Sequence, residues 1–184
     1  MALTPSNMLA LGTKAPSFEA LDVISNTIKK LEDFSSDKAT LLFFICAHCP
    51  YVIHLNEAIA QLAVEYKKKG VQFIALSSND IVNYPQDGPE HLKRQAKENG
   101  FSFPYFFDAD QSIAKAYDAA CTPDFYLFDG EMKLAYRGQF DDSRPGNNSP
   151  ITGKDLSSAM DAVLQNENVG PVQKPSMGCN IKWK

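Results

Sequence analysis

Apolar and polar positions follow one another in blocks along the 184-residue chain, and each block carries a readable period. Residues 40–45 form a continuous β-branched and aromatic run, the pattern of a strand buried on both faces. Over residues 50–69, Val52, Leu55, Ile59, Leu62, Ala63 and Tyr66 recur at helical spacing, and Gly70 supplies the stop. Residues 71–76 are again apolar without a break. Together these predict a strand–helix–strand unit with a right-handed parallel crossover. Upstream, residues 18–22 and 28–34 read as two short strands around Ser25-Asn26-Thr27. Downstream, Pro89 opens and Asn99-Gly100 closes a helix whose only apolar positions, Leu92 and Ala96, predict a surface location.

Residues 105–107 predict a short strand, and Asp110 a cap for a helix carrying Ile113, Ala114 and Tyr117. Residues 125–128, the Asp129-Gly130 turn and residues 132–137 predict a β-hairpin. Thr152 with Asp155 resembles a capping box, followed by a stripe of Leu156, Ala159, Met160, Val163 and Leu164. The order predicts an α/β fold, a mixed sheet flanked by helices, over residues 1–166. Residues 167–184, broken by Pro and Gly, read as an irregular C-terminal tail.

Composition narrows the function classes. Hydrophobic residues make up 44% and charged residues 22%, a globular balance that excludes a disordered chain. The net charge of −4, with both signs interspersed, offers no basic stripe and argues against nucleic-acid binding. The longest apolar run, residues 41–47, is far short of a membrane span. The first residues lack the charged start and apolar core of a secretory signal, so the expected location is cytoplasmic. Four cysteines are too few for a disulfide-stapled scaffold, and in a reducing compartment such cysteines serve catalysis or metals.

Two of the four lie in Cys46-Ala47-His48-Cys49-Pro50, where the central strand hands over to the long helix. Unpaired amides at a helix start stabilise a thiolate and lower its pKa. Cys46, at the exposed beginning of the turn, is expected to be the attacking nucleophile, and Cys49 to resolve the mixed disulfide. His48 is expected to favour the Cys46 thiolate further. Tetrahedral zinc wants four ligands and usually two such pairs, and no second CxxC exists, so no metal is assigned. A metal-binding protein using Cys46, Cys49 and a histidine remains the non-enzymatic alternative. His54 and His91 fall on predicted helices as surface or packing residues. A second constellation, Cys121-Thr122-Pro123, places a proline at the mouth of a predicted strand.

These features together resemble a thioredoxin-fold redoxin of the alkyl hydroperoxide reductase/thiol-specific antioxidant family. The resemblance rests on residues 12–18, on the Cys46–Cys49 segment, on Thr122-Pro123 and on Tyr136-Arg137-Gly138. It extends to the Asp142-Ser143-Arg144-Pro145 stretch and the tail from Pro175 to Lys184. It implies a thioredoxin-like three-layer sandwich with an N-terminal β-hairpin extension. It also implies a cis Pro123 facing the cysteine pair, with Thr122 offering backbone groups to an extended substrate segment by strand addition.

The implied activity is thiol–disulfide oxidoreduction, an antioxidant and redox-homeostasis role that needs no cofactor. The substrate is a protein or small-molecule disulfide, or a peroxide, and a thiol donor of the thioredoxin or glutathione system recycles the enzyme; the oligomeric state stays open. Cys121 and Cys179 stand as additional redox thiols, Cys179 from a flexible tail. The enzymatic alternative is a peroxiredoxin-like thiol peroxidase. Against it, Leu42 and Cys46 occupy the Pro and Thr positions of the peroxidase pattern Pro-x-x-x-Thr-x-x-Cys when Cys49 is laid on its cysteine.

Overall fold

The computed structural model describes residues 3–184; Met1 and Ala2, the start of the segment read for a secretory signal, lie outside them. β1 (Leu3–Pro5) precedes the hairpin β2 (Glu19–Asp22) and β3 (Thr27–Lys30). The predicted crossover unit is β4 (Ala39–Phe44), α1 (Pro50–Ile53), α2 (Asn56–Lys69) and β5 (Val71–Ser77). Then come α3 (Pro89–Asn99), β6 (Tyr105–Phe107), α4 (Ser112–Ala116), β7 (Cys121–Thr122), β8 (Asp124–Asp129), β9 (Leu134–Gly138), α5 (Lys154–Leu164) and β10 (Met177–Asn180). Seven strands form one mixed sheet in the order β3-β2-β6-β5-β4-β8-β9, and β1-β10-β7 form a second, smaller sheet. β4 pairs parallel with β5 and antiparallel with β8, which makes it central, as its unbroken apolar run requires.

Because side chains alternate across a strand, β4 feeds two cores. Leu41 and Phe43 face one cluster with Phe73, Phe125 and the apolar stripes of α2, α3 and α5. Leu42 and Phe44 face the other, with Phe106, Tyr126 and Ile113, Ala114 and Tyr117 around α4. Helices therefore cover both faces of the large sheet, the three-layer arrangement of thioredoxin-like folds. Among the described residues, no helix is long and apolar enough to cross a membrane.

Four local expectations change. The long helix is interrupted: Leu55 N–H bonds to the Val52 carbonyl, three residues back, before α2 resumes with Ile59 N–H to Leu55. The α5 start uses no Thr152–Asp155 capping box. Its amides at Thr152 and Gly153 instead donate to the Asp141 carboxylate at 2.6 and 2.7 Å, and Asp155 accepts from Gln139. Before α4, Asp110 accepts from Ser112 N–H, whereas the buried Asp108 carboxylate holds the Ile113 and Ala114 amides. The largest change is at the C-terminus. Residues 177–180 of the tail read as irregular form β10, and Ser176, Cys179, Ile181 and Lys182 around it are buried. Tail patterning is too short to reveal a strand whose pairing is wholly long-range.

Candidate active site

β4 ends at Phe44, and the next residues turn sharply so that Cys49 caps α1, with Pro50 in the first helical turn where its missing N–H costs little. The turn is held from outside. The buried Asp87 carboxylate accepts Ala47 N–H at 2.9 Å, His48 N–H at 3.3 Å and Asn79 Nδ2 at 2.8 Å. It also pairs with His48 Nδ1 at 2.6 Å. Gln95, fixed by Tyr105, donates to the Cys46 carbonyl at 3.2 Å. The His48 ring stacks on Tyr84, with centroids 5.6 Å apart. Asp87, Asn79 and Gln95 were invisible as site residues, since one polar loop and one surface-patterned helix carry them far from the cysteines in sequence. Asp87, just before the Gly88-Pro89 helix start, was the nearest thing to a signal.

Thr122 closes the site from the other side. Its peptide bond to Pro123 is cis, as the family resemblance implied. Thr122 Oγ1 lies 3.7 Å from Cys46 Sγ, and its carbonyl accepts from Cys49 Sγ at 3.2 Å. Cys46 Sγ also lies 3.9 Å from His48 Nδ1. The two thiols are close enough to shift each other's pKa, Cys49 raising Cys46 and Cys46 lowering Cys49. The structure thus brings together Cys46, His48, Cys49, Thr122 and Pro123. Cys179 joins them through Cys49, which no sequence spacing could indicate. Cys121 turns its thiol toward the Pro123 carbonyl at 3.6 Å. His54 donates to or accepts from Ser143 Oγ at 2.7 Å, tying α1 to the 141–145 loop.

Two expectations about the pair are corrected. Cys46 is not at an exposed turn: it is 1% exposed and Cys49 0%, because Thr122, β10 and the His48–Tyr84 stack enclose them. The order of ionisation is also reversed. The hydrogen bond to Cys49, burial and the Asp87 charge push the Cys46 thiol well above its ordinary value. The same hydrogen bond from Cys46, assisted by Cys179 and Thr122 against the cost of burial, lowers Cys49. The two thiols therefore shift in opposite directions, Cys46 up and Cys49 down. Cys49, not Cys46, occupies the cap of α1, which is a single turn. Burial and Asp124 raise Cys121, which leaves it a packed core thiol.

Among the described residues, Cys46, His48 and Asp87 form a group whose ligand atoms all lie within 4.8 Å of one another, the residue types that hold a metal ion. Here Asp87 Oδ1 already accepts two amides, and Oδ2 accepts Asn79 while pairing with His48. A cation would have to displace the bonds that shape the turn. The set fits a positioned thiol better than a metal centre.

The comparisons agree with this architecture. The chain matches a solved uncharacterized conserved protein of Geobacillus kaustophilus at 52% identity, over 100% of this chain and 97% of that one, with a TM-score of 0.98. A hypothetical protein of Sinorhizobium meliloti 1021 matches at 46% identity over 98% of each chain, with a TM-score of 0.95. A secreted disulfide oxidoreductase of Mycobacterium tuberculosis shares the fold at 16% identity, covering 79% of this chain and 95% of its own, with a TM-score of 0.60. No curated protein sequence matches. The sequence profile of the AhpC/TSA family covers residues 11–137, more than half of the chain, so with its thioredoxin-like fold and paired cysteines the chain belongs to the AhpC/TSA family.

Proposed function

We propose that the protein is a thiol–disulfide oxidoreductase whose working couple is Cys46 and Cys49. The observation that supports it most is that both sulfurs meet Thr122, beside the cis Pro123, just past the end of β4: Cys46 Sγ lies 3.7 Å from its hydroxyl and Cys49 Sγ 3.2 Å from its carbonyl. Cys46 is the sulfur on the side of His48, whose side chain is 17% exposed, so an incoming disulfide meets it first. As Cys46 attacks, its proton passes to the Cys49 thiolate, the Cys46–substrate bond forms, and half of the substrate leaves as a thiolate. That thiolate takes the proton back from Cys49. Cys49 then attacks Cys46 Sγ, and the second half of the substrate departs as the Cys46–Cys49 disulfide forms. The substrate is reduced by two electrons and the pair oxidised by two, and a cytosolic thiol donor restores it.

Cys46→Ser and Cys49→Ser should each lower turnover of a disulfide such as oxidised glutathione by on the order of 100-fold or more, because the two act as a unit. Cys49→Ser should accumulate a mixed disulfide at Cys46, read by intact mass. Undiminished turnover in both variants would end the reading. The lowered Cys49 thiol beside a third thiol favours a second reading, thiol peroxidase, and stopped-flow peroxide consumption separates the two.

A further inference from the structure

The edge of β7 beside the cis proline, where an extended substrate segment was expected to add, is already taken by the chain's own tail. β10 pairs with it antiparallel, Cys179 opposite Thr122 and Asn180 opposite Cys121. The seat is close. A Cβ on Gly178 would lie 2.0 Å from the Thr122 carbonyl oxygen, so only glycine lets the strand approach. Both ends of the strand are anchored. Ser176 Oγ donates to the Pro123 carbonyl at 2.6 Å, and Lys182 N–H donates to Asn79 Oδ1 at 2.8 Å. The same Asn79 donates to Asp87, so the carboxylate that shapes the cysteine turn is linked to the tail. This register puts Cys179 opposite Thr122, the residue whose carbonyl accepts from Cys49 Sγ at 3.2 Å, and at 5% exposure Cys179 is the least buried of the four cysteines.

We propose that β10 is a built-in counterpart of the substrate strand and that Cys179 is a third catalytic thiol, exchanging with Cys49 once the Cys46–Cys49 disulfide has formed. This rests on the oxidoreductase reading and names the first partner of the oxidised pair. The Cys179 sulfur attacks Cys49 Sγ, and the Cys49–Cys179 bond forms as the Cys46–Cys49 bond breaks. The electron pair leaves on Cys46, which takes up the proton Cys179 gives up. Oxidation state is conserved, one disulfide replacing another. The reduced pair opposes this step and the oxidised pair favours it. Cys179 is raised to about 12 by burial first and then by its hydrogen bond to Cys49 and the Cys49 charge; Lys182 pulls the other way. Bridging Cys49 to Cys46 removes the two contributions that depend on Cys49 charge. The disulfide thereby moves from the end of β4 onto β10, between β1 and β7, at the least buried of the four cysteines.

The test is disulfide mapping of the full chain oxidised with graded oxidised glutathione, acid-quenched, alkylated and digested with trypsin without reduction. Cys46 and Cys49 fall in the 39–67 peptide and Cys179 in the 155–182 peptide. The expected result is a cross-link between these peptides through Cys49 in about a tenth or more of the oxidised chains, alongside the internal Cys46–Cys49 bridge. Cys46→Ser should convert nearly all oxidised monomer to the Cys49–Cys179 form, and Cys49→Ser should give no link from Cys46 to Cys179. A Cys46–Cys49 bridge in wild type, with Cys179 fully alkylated there and in Cys46→Ser, overturns the proposal and leaves the oxidoreductase reading intact. Absence of both bridges overturns the two together.

Discussion

Cys46 and Cys49 end the central strand of the seven-stranded sheet, whereas Cys121 and Cys179 belong to the three-stranded one, and burial does not tell them apart. All four are 5% exposed or less. What differs is the set of groups that replaces water. Cys49 has hydrogen bonds from the Cys46 thiol, from Cys179 and from the Thr122 side chain, and against the cost of burial its pKa falls. Cys121 faces a carbonyl oxygen and the nearby Asp124, and its pKa rises. Cys179 stands between: it shares the small sheet with Cys121 but touches the pair of the large one. Desolvation alone disfavours every thiolate, so a reactive sulfur in this interior is made by neighbours and not by depth.

That contrast predicts the largest effect at a residue with no sulfur. Asp87→Ala leaves the Ala47 and His48 amides and Asn79 Nδ2 without their buried acceptor. It should cost about 3–5 kcal/mol, read as a fall of roughly 10 °C in Tm. Asp87→Asn retains the shape and removes the charge. Because that charge helps hold the Cys46 thiol up, the onset of Cys46 alkylation should move to lower pH, measured by mass spectrometry across a pH series. An unchanged profile would show that the carboxylate positions the turn without tuning the sulfur.

Next in size is the buried carboxylate behind the small sheet. Burial pushes Asp124 up to about 7, against the bonds it receives from Ser6 and from Tyr126 at 2.9 Å. The folded state therefore binds its proton more tightly than the unfolded chain. The resulting stability is fully present below pH ~4 and is lost as pH rises through about 7, with a span of at most about 4 kcal/mol. Asp124→Asn should remove that part of the slope, so the wild-type-minus-variant difference in urea midpoint should change sharply between pH 5 and 8. A parallel pair of curves would place the Asp124 titration elsewhere.

The smallest effect sharpens the comparison most. Gly178→Ala should force β10 off β7 at a cost of roughly 1–3 kcal/mol. Amide exchange should quicken at Gly178, Cys179 and Thr122 while β4 and β5 remain protected. The Cys49–Cys179 cross-link should be lost with the Cys46–Cys49 bridge retained. Faster exchange across β4 would instead make the two sheets one cooperative unit.

Local pattern carried the large sheet. The apolar run of β4, the α2 stripe ending at Gly70, the Pro89–Asn99 helix closed by Gly100 in a left-handed conformation and the β8–β9 hairpin all follow from period, caps and turns. The cysteine pair and the cis proline were likewise legible, the first from its junction and the second from the family resemblance. Strand β10 was not, because four residues of tail become a strand only when β1 and β7 supply its hydrogen-bond partners. Nor was the lowering of the Cys49 pKa, which depends on contacts reaching from positions 122 and 179 as well as on Cys46. Periodicity and caps act between near neighbours along the chain, so the sequence by itself determined the α/β order, the central strand and where the sulfurs sit upon it. In which direction each thiol shifts, what encloses the pair and which third cysteine lies beside Thr122 were decided by tertiary packing, since solvent exclusion and electrostatics act through space and not along the chain.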